Sequence, residues 1–327
     1  MTALRPLPAH LRVRPFTVSE ATDVSRSRLR AGDLARPFHG ARIPATSAGD
    51  HEARCAAAVL VCHDRAFVCG LAAAAYHGMP LPTSPTERTP VDIGLPAPLR
   101  AVRRRGIRGH SLIVVSDDMM ELHGVRITTP ERTWCDLAEH LTVPELVAAG
   151  DWLLRSGASN TARLAAAIER HPGRRGRGKL LVAVELLDTA SESPKESELR
   201  AIVILAGLPQ PEANAIILDE QGRFIARVDL LFRQFGEVLE YHGDQHRTDR
   251  KQWRRDRTRE AELESSGLHV MEITDADLRR PRELVTRIAR NLRRRGWSGT
   301  LAFSRYVPPD RAYTYPPTAS GPYVSAG

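Results

Sequence analysis

Lysine is almost missing from this 327-residue chain: Lys179, Lys195 and Lys251 stand against 44 arginines. Cysteine is sparse as well. Cys55, Cys62, Cys69 and Cys135 form no C-x-x-C pair and are too few for a disulfide scaffold. Small buried thiols are the expectation, with a metal site the weaker alternative. No run of about 18 apolar residues occurs, which excludes a membrane-spanning helix. The opening stretch MTALRPLPAHLRVRPF has no apolar core of the kind a secretory signal needs, so a cytoplasmic protein is expected.

What is present is ordinary for a globular chain, 42% hydrophobic and 26% charged, and the length suits two or three domains. The balance of 47 basic against 39 acidic residues gives a formal net charge of +8. Guanidinium groups bind phosphate in a bidentate fashion, so an arginine-dominated basic chain points toward nucleic acid. Genomic base composition produces the same arginine excess without any such role.

Four segments are expected. Residues 1–46 read as a small helical DNA-binding unit. It has a helical segment around Thr17–Val24, then a helix in SRSRLRAGDL with Ser25 as N-cap and Gly32 as C-cap, then a wing of two short strands around His39-Gly40. Arg26, Arg28 and Arg30 decorate the second helix, where a recognition helix carries its contacts. Residues 47–190 form a mixed middle domain. It contains an Ala-rich helix in AFVCGLAAAAYHGMPLP, strands in TPVDIGLP and SLIVVSDD, and a strand-to-helix junction in VRITTPERTWCDLAEHL with Thr129 as cap and Pro130 at the first helical position. Asp92, Asp117 and Asp118 sit at strand ends and turns, where aspartate serves local hydrogen bonding. The run Gly173–Leu180 approaches a phosphate-binding G-x-x-x-x-G-K-S/T loop. Leu180 replaces the hydroxyl residue and a helix precedes the run, so a basic surface loop is expected and a nucleotide ligand is not. Ser191–Pro194 reads as an exposed linker, and the Pro-, Gly- and Tyr-rich residues 301–327 as a disordered tail.

Residues 191–300 carry the clearest pattern, in the order α-β-β-β-α-β-α. SPKESELRAIVILAG opens with Ser193 as N-cap, Pro194 at the first position and Glu196 closing a capping box. AIIL and RFIARVDLLF are strands joined across Asp219–Gly222, and GEVLEYHG is a third. A polar helix ends at Gly267. LHVMEITDADL follows as a strand with a cap at Asp275 or Asp277, and PRELVTRIARNLRRRG closes the segment.

If the loop Arg233–Gly236 turns symmetrically, Phe232 meets Glu237 and Asp229 stands opposite Glu240. Side chains so paired have Cβ atoms about 4.5–5.5 Å apart. Two carboxylates at that separation need a shared proton, a cation or an arginine. A hard divalent ion fits the donor set, and Arg227 and Arg233 on the Asp229 face are the rival partners. His246, in the turn after Gly243, has the residue type that takes a proton near neutral pH. Glu198 borders the buried stripe of the leading helix. Arg254, Arg255 and Arg259, with Asp256, lie on the arginine-rich helix, which either tracks a phosphate backbone or is a solvated face laced with ion pairs.

ESELR, RVDLLF, LEYHGDQHR, QWRRD and HVMEITDADL, in that order, resemble the PD-(D/E)XK nuclease superfamily, and most closely its very-short-patch-repair-like endonuclease domains. The resemblance covers about the last third of the chain. It implies an αβββαβ core of restriction-endonuclease type and hydrolysis of DNA phosphodiester bonds with Mg²⁺ or Mn²⁺. Asp229 and Glu240 would be metal ligands, Glu198 the helix acid assisting them, and His246 a general base. The superfamily's lysine falls at His242, beside which Gln245 also belongs to the turn region. The first segment looks like the winged helix of AbiEi-type antitoxins, and YHGMPLP and ITTPERTWCDLAEHL resemble the region that follows it. That likeness implies DNA binding and repression, with a toxin partner or a homodimer as protein partner. Two readings follow: a DNA-binding protein with a metal-dependent endonuclease domain, or a non-catalytic repressor on a degenerate nuclease scaffold. The overall class is α/β with several domains.

Overall fold

The computed structural model describes residues 5–86, 88–243, 259 and 261–310. The chain forms two compact units, Met1–Thr189 and Ala190–Gly327, both mixing helices with sheets. No helix among the described residues is long and apolar enough to cross a membrane.

The first unit begins with α1 (Ala9–Arg12), β1 (Phe16–Thr17), a 3-10 turn at Arg28–Arg30, β2 (Leu34–Ala35) and β3 (Ala41–Pro44), with the strands ordered β1-β3-β2. The β2–β3 hairpin around His39-Gly40 is present, with Gly40 at φ +86° in the left-handed region. The helix expected in SRSRLRAGDL is reduced to the single 3-10 turn, and Thr17–Val24 runs from strand into turns. The physical reason is local. Leu29 is the only buried residue of that turn, so a longer helix would have no apolar stripe to bury. Ser25 Oγ still accepts the Arg28 N–H at 3.2 Å, but Arg28 turns back to grip both Asp33 oxygens at 2.8 and 2.7 Å. Residues 1–46 are not a separate body either. Leu7, Leu11, Phe16, Ala21, Leu29 and Leu34 make a small core, whereas Phe38, Ala41 and Ile43 belong to the core of the segment that follows.

That segment comprises α2 (His51–Leu60), β4 (Phe67–Val68), α3 (Gly70–Tyr76), β5 (Val91–Pro96), β6 (Arg103–Arg104), β7 (Ile107–Leu112), β8 (Met119–Leu122) and β9 (Val125–Thr128), in a six-stranded sheet ordered β6-β7-β5-β4-β9-β8. Phe67 and Val68 are therefore strand, and the Ala-rich helix begins only at Gly70. The strand expected in SLIVVSDD lies earlier, and Ile113 and Val115 are left exposed. A helical layer follows: α4 (Pro130–Asp136), α5 (Val143–Arg155), α6 (Thr161–Arg170) and α7 (Arg177–Glu185). Thr129 caps α4 through the Arg132 N–H, with Pro130 at the first position. Lys179 of the loop-like GRRGRGKL run donates to the Ala138 and Leu141 carbonyls at 3.0 and 2.8 Å, an anchoring role for α7. All four cysteines are free thiols. Burial pushes Cys135 up to about 12 and raises Cys55 and Cys69 well above the ordinary thiol value, so these three pack as inert apolar groups.

The second unit runs α8 (Pro194–Leu205), β10 (Glu212–Leu218), β11 (Phe224–Phe232), β12 (Glu237–Tyr241), β13 (His269–Ile273), α9 (Asp275–Leu278) and α10 (Pro281–Arg294). Its sheet is ordered β10-β11-β12-β13, antiparallel except for the parallel β12–β13 pair. Between those two strands, residues 261–265 are helical and end at Gly267, whose φ of +78° lets the chain leave the helix. Leu230 and Leu239 are fully buried, each contributing about 1.5–3 kcal/mol of burial. The cap after β13 is Thr274, with Asp277 accepting its N–H at 2.9 Å, in place of an aspartate cap.

Two expectations about the flanks fail. Ser191 is buried and its hydroxyl accepts from Arg200 Nε at 3.3 Å, so Ser191–Pro194 is a docked start to α8. Residues 301–310 also dock: Ala302 and Ser304 donate to the Ala206 and Leu205 carbonyls at 3.0 and 2.9 Å, and Val307 is buried. Residues 311–327 of the expected tail lie outside the described residues.

Candidate active site

The β11–β12 register is Phe232 to Glu237, Leu231 to Val238 and Leu230 to Leu239. One step further along this register, Asp229 stands beside Glu240. There the backbone ladder gives way, and Asp229 Oδ2 itself accepts the Tyr241 N–H at 2.7 Å. On the other flank, Ala213 pairs with Leu230 and Ala215 with Val228, bracketing Asn214 next to Asp229. Asn214 adopts φ +48°, a left-handed conformation that Asn tolerates better than most residues. Its Nδ2 donates to Glu196 Oε2 at 3.1 Å and to the Ala190 carbonyl.

Asp229 is thus a central-strand acid with Asn214 on one neighbour and Glu240 on the other. Burial pushes its carboxyl up to about 6. The Tyr241 N–H opposes that rise, Glu196 and Glu240 reinforce it by repulsion, and Arg259 opposes it from farther off. Glu240 is 5% exposed. Its Oε2 accepts from Arg259 Nη2 at 2.5 Å and lies 3.7 Å from His242 Nε2. Its Oε1 is buried without a hydrogen-bond partner among the described residues. Glu240 first, and Glu272 at 4.0 Å, hold His242 above its ordinary pKa.

Glu198 is placed differently. Both its oxygens lie 3.0 Å from Lys195 Nζ, which is also 3.8 Å from Asp275, and Asp275 accepts from the Tyr241 hydroxyl at 3.1 Å. The helix acid whose charge acts on Asp229 is Glu196. Its backbone N–H meets Ser193 Oγ as the cap requires, but its carboxylate reaches Glu192 N and Asn214, so the capping box is half formed. Arg227 and Arg233, the rival partners for Asp229, pair with Glu192 and Glu212. Arg259, expected on a phosphate-facing surface, reaches inward to Glu240. His246, Gln245, Arg254, Arg255 and Asp256 lie outside the described residues. In the first unit, Arg26 and Arg30 are exposed, while Arg28 is committed to Asp33 and the Arg5 carbonyl.

Sequence reasoning missed Lys195, Glu196 and Asn214. All three are remote in sequence from Asp229, and only the packing of α8 and β10 brings them to the strand ends. The signal for Glu196 was present, but the capping motif accounted for it.

The donor set fits a hard divalent cation in part. No cluster of three or more His, Cys, Asp or Glu able to hold a metal occurs among the described residues. The pair Asp229 and Glu240 nonetheless offers a buried oxygen unpartnered among the described residues and a carboxyl raised first by burial and then by its acidic neighbours, both of which a cation relieves. Waters and carbonyls commonly complete such a shell.

No family model and no solved structure matches the chain. Two proteins of Mycobacterium tuberculosis do, named Uncharacterized protein Rv2248 (strain H37Rv) and Uncharacterized protein MT2308 (strain CDC 1551). Each is 30% identical over 276 residues, covering 83% of this chain and 97% of the relative. The chain belongs to the family of these mycobacterial proteins. A match of that length exceeds either unit alone, so the similarity extends into both.

Proposed function

We propose that the second unit is a metal-dependent endonuclease of the PD-(D/E)XK kind, acting on DNA phosphodiester bonds. The observation that carries this reading is Asp229: half-buried beside the buried acids Glu240 and Glu196, with no cation hydrogen-bonded to it among the described residues, and raised to about 6. Asp229 and Glu240 would hold Mg²⁺ or Mn²⁺. A divalent ion bound there supplies a water of lowered pKa and positive charge for the phosphate. Tyr241 N–H fixes the orientation of Asp229 Oδ2. His242, held above its ordinary pKa first by Glu240 and also by Glu272, would offer Nε2 to a phosphate oxygen from the position the superfamily's lysine occupies. Lys195, anchored by Glu198, adds positive charge at the same strand ends. His246 remains the candidate general base by resemblance.

A second reading has its own support. Arg259 already covers one oxygen of Glu240, and His242 replaces the lysine, as in a scaffold that has lost catalysis. The protein is then a DNA-binding repressor of antitoxin type, with a toxin or a second copy as partner.

Titrating Mg²⁺ and Mn²⁺ into the full chain with supercoiled plasmid separates the two. Metal-dependent nicking is expected, falling by about 100-fold or more in Glu240→Gln, the scale seen when one charge-stabilising group is removed. Equal nicking by Glu240→Gln removes the site assignment. Plasmid binding without nicking under either metal transfers the weight to the repressor.

A further inference from the structure

Helix α9 belongs to two places at once. Its first residue, Asp275, joins Lys195 and the Tyr241 hydroxyl at the strand ends. Its next residues, Ala276 and Asp277, line a separate cleft of about 1130 Å³, walled by the first turns of α10 and by Phe303 and Asp310. Four guanidinium groups enter this cleft, from Arg280, Arg282, Arg287 and Arg290. Two are neutralised: Arg287 bonds Asp277 at 2.6 Å and Arg280 bonds Glu283 at 3.2 Å. The other two are not. The side chains of Arg282 and Arg290 have no carboxylate partner among the described residues.

The two unneutralised arginines share one face of α10. Leu284, Val285, Ile288, Ala289 and Leu292 form the buried face. At helical spacing on the outside run Arg282, Thr286, Arg290 and Arg293, followed by Trp297 just past the helix, and no acidic residue stands on that stripe. At 1.5 Å per residue, Arg282 and Arg290 lie about 12 Å apart along the axis and Arg293 about 4.5 Å further. This length suits several consecutive phosphates better than one small anion. Both ends are braced by rings: Arg282 lies over Phe303 at 5.0 Å and Arg293 over Trp297 at 5.3 Å. Such stacking limits the rotamers of the guanidinium while leaving its donors free, which lowers the entropy lost on binding phosphate.

We infer that the Arg282–Arg290–Arg293 stripe of α10 is the surface on which the phosphate backbone of duplex DNA runs, leading by way of α9 to Asp229 and Glu240. The inference rests on the nuclease reading for its occupant, and it places the backbone contacts on a helix that sequence reasoning treated only as the closing element.

The test measures binding of a short fluorescein-labelled DNA duplex to the full chain without divalent metal, across a salt series. Three proteins are compared: wild type, the triple variant Arg282→Gln, Arg290→Gln, Arg293→Gln, and the triple variant to Lys at the same positions. All three positions are exposed, and thermal melts of each protein check folding. Loss of three phosphate contacts should lower the slope of log affinity against log salt by about 2.7 and the affinity at about 0.1 M salt by roughly 100-fold, with the Lys triple keeping the wild-type slope. Unchanged slope and affinity in the Gln triple, or no duplex binding by the wild type, overturns the inference. The two readings fail separately. Nicking that depends on Glu240 but ignores the Gln triple removes the stripe alone, whereas weakened binding by the triple in a protein that never nicks leaves the stripe standing and removes the nuclease.

Discussion

Asp118 and Asp136 in the first unit, and Asp229 and Glu240 in the second, are both carboxylate pairs with an arginine at hand, and the two are resolved in opposite ways. Arg132, 3% exposed, lies between its two acids, 2.6 Å from Asp118 and 2.9 Å from Asp136, and His171 adds a contact to Asp136 at 3.0 Å. Among the described residues Arg259 hydrogen-bonds Glu240 but not Asp229, whose carboxylate receives the Tyr241 backbone N–H. Each pair leaves one buried oxygen without a partner, Asp136 Oδ2 and Glu240 Oε1, so an orphan oxygen does not by itself mark a site. The difference lies in the cations. Where arginine and histidine clamp both acids, the cluster joins α4 to its neighbours. Where one acid is left to burial and repulsion, the pair is suited to take up positive charge from outside.

The sharpest way to break this comparison is to remove each arginine. Arg132→Met takes the guanidinium from Asp118 and leaves Asp136 with His171 in a buried setting, and should cost about 3–5 kcal/mol in urea unfolding. Arg259→Met, at a side chain 36% exposed and contacting one acid, should cost about 1 kcal/mol or less. Equal losses would mean that the clusters do the same job.

A smaller effect tests the sign of the charge. Asp229 titrates near 6 in the folded chain, above its ordinary value, so its stabilising contribution is fully present below about pH 4 and is lost as pH rises through about 6. Asp229→Asn should therefore raise stability at pH 8 by about 2 kcal/mol and give no gain at pH 4. Asp136→Asn, which gives up contacts to Arg132 and His171, should destabilise at pH 8. A gain that does not change with pH at position 229 would remove the repulsion argument.

The smallest expected effects come from helix caps. Thr142 accepts the Glu145 N–H at the start of α5, and Ser193 accepts the Glu196 N–H at the start of α8. Replacing either by Ala should cost about 1 kcal/mol. On the proposed nuclease reading, only Ser193→Ala, which loosens the turn holding Lys195, Glu196 and Glu198, should also slow nicking.

Most of the second unit was legible because each element carries a strong local signal. Ser193-Pro194 starts α8, Asp219–Gly222 makes the first turn, and the four residues Arg233–Gly236 fix the register that sets Asp229 beside Glu240. The partners of those acids were not legible. Glu196, Asn214 and Arg259 arrive from other elements, and spacing along the chain does not encode such meetings. The first segment failed for the opposite reason. Its arginines look like a recognition helix in sequence, but one buried leucine cannot hold a helix together, and Asp33 offered Arg28 a closer partner than solvent. The tail failed because its composition concealed Val307, which packs although its neighbours are polar or proline.

The parallel pairing of β12 with β13 divides the unit into a part that must keep its length and a part free to change it. A hairpin holds Asp229 and Glu240 together through a loop of four residues, so an insertion there would slip the register and separate the acids. Parallel strands need a long crossover, and here Glu237 pairs with His269 at the starts of the two strands. Lengthening a crossover costs little closure entropy. An insertion in that crossover should therefore leave Asp229 beside Glu240, whereas one in the hairpin loop should not.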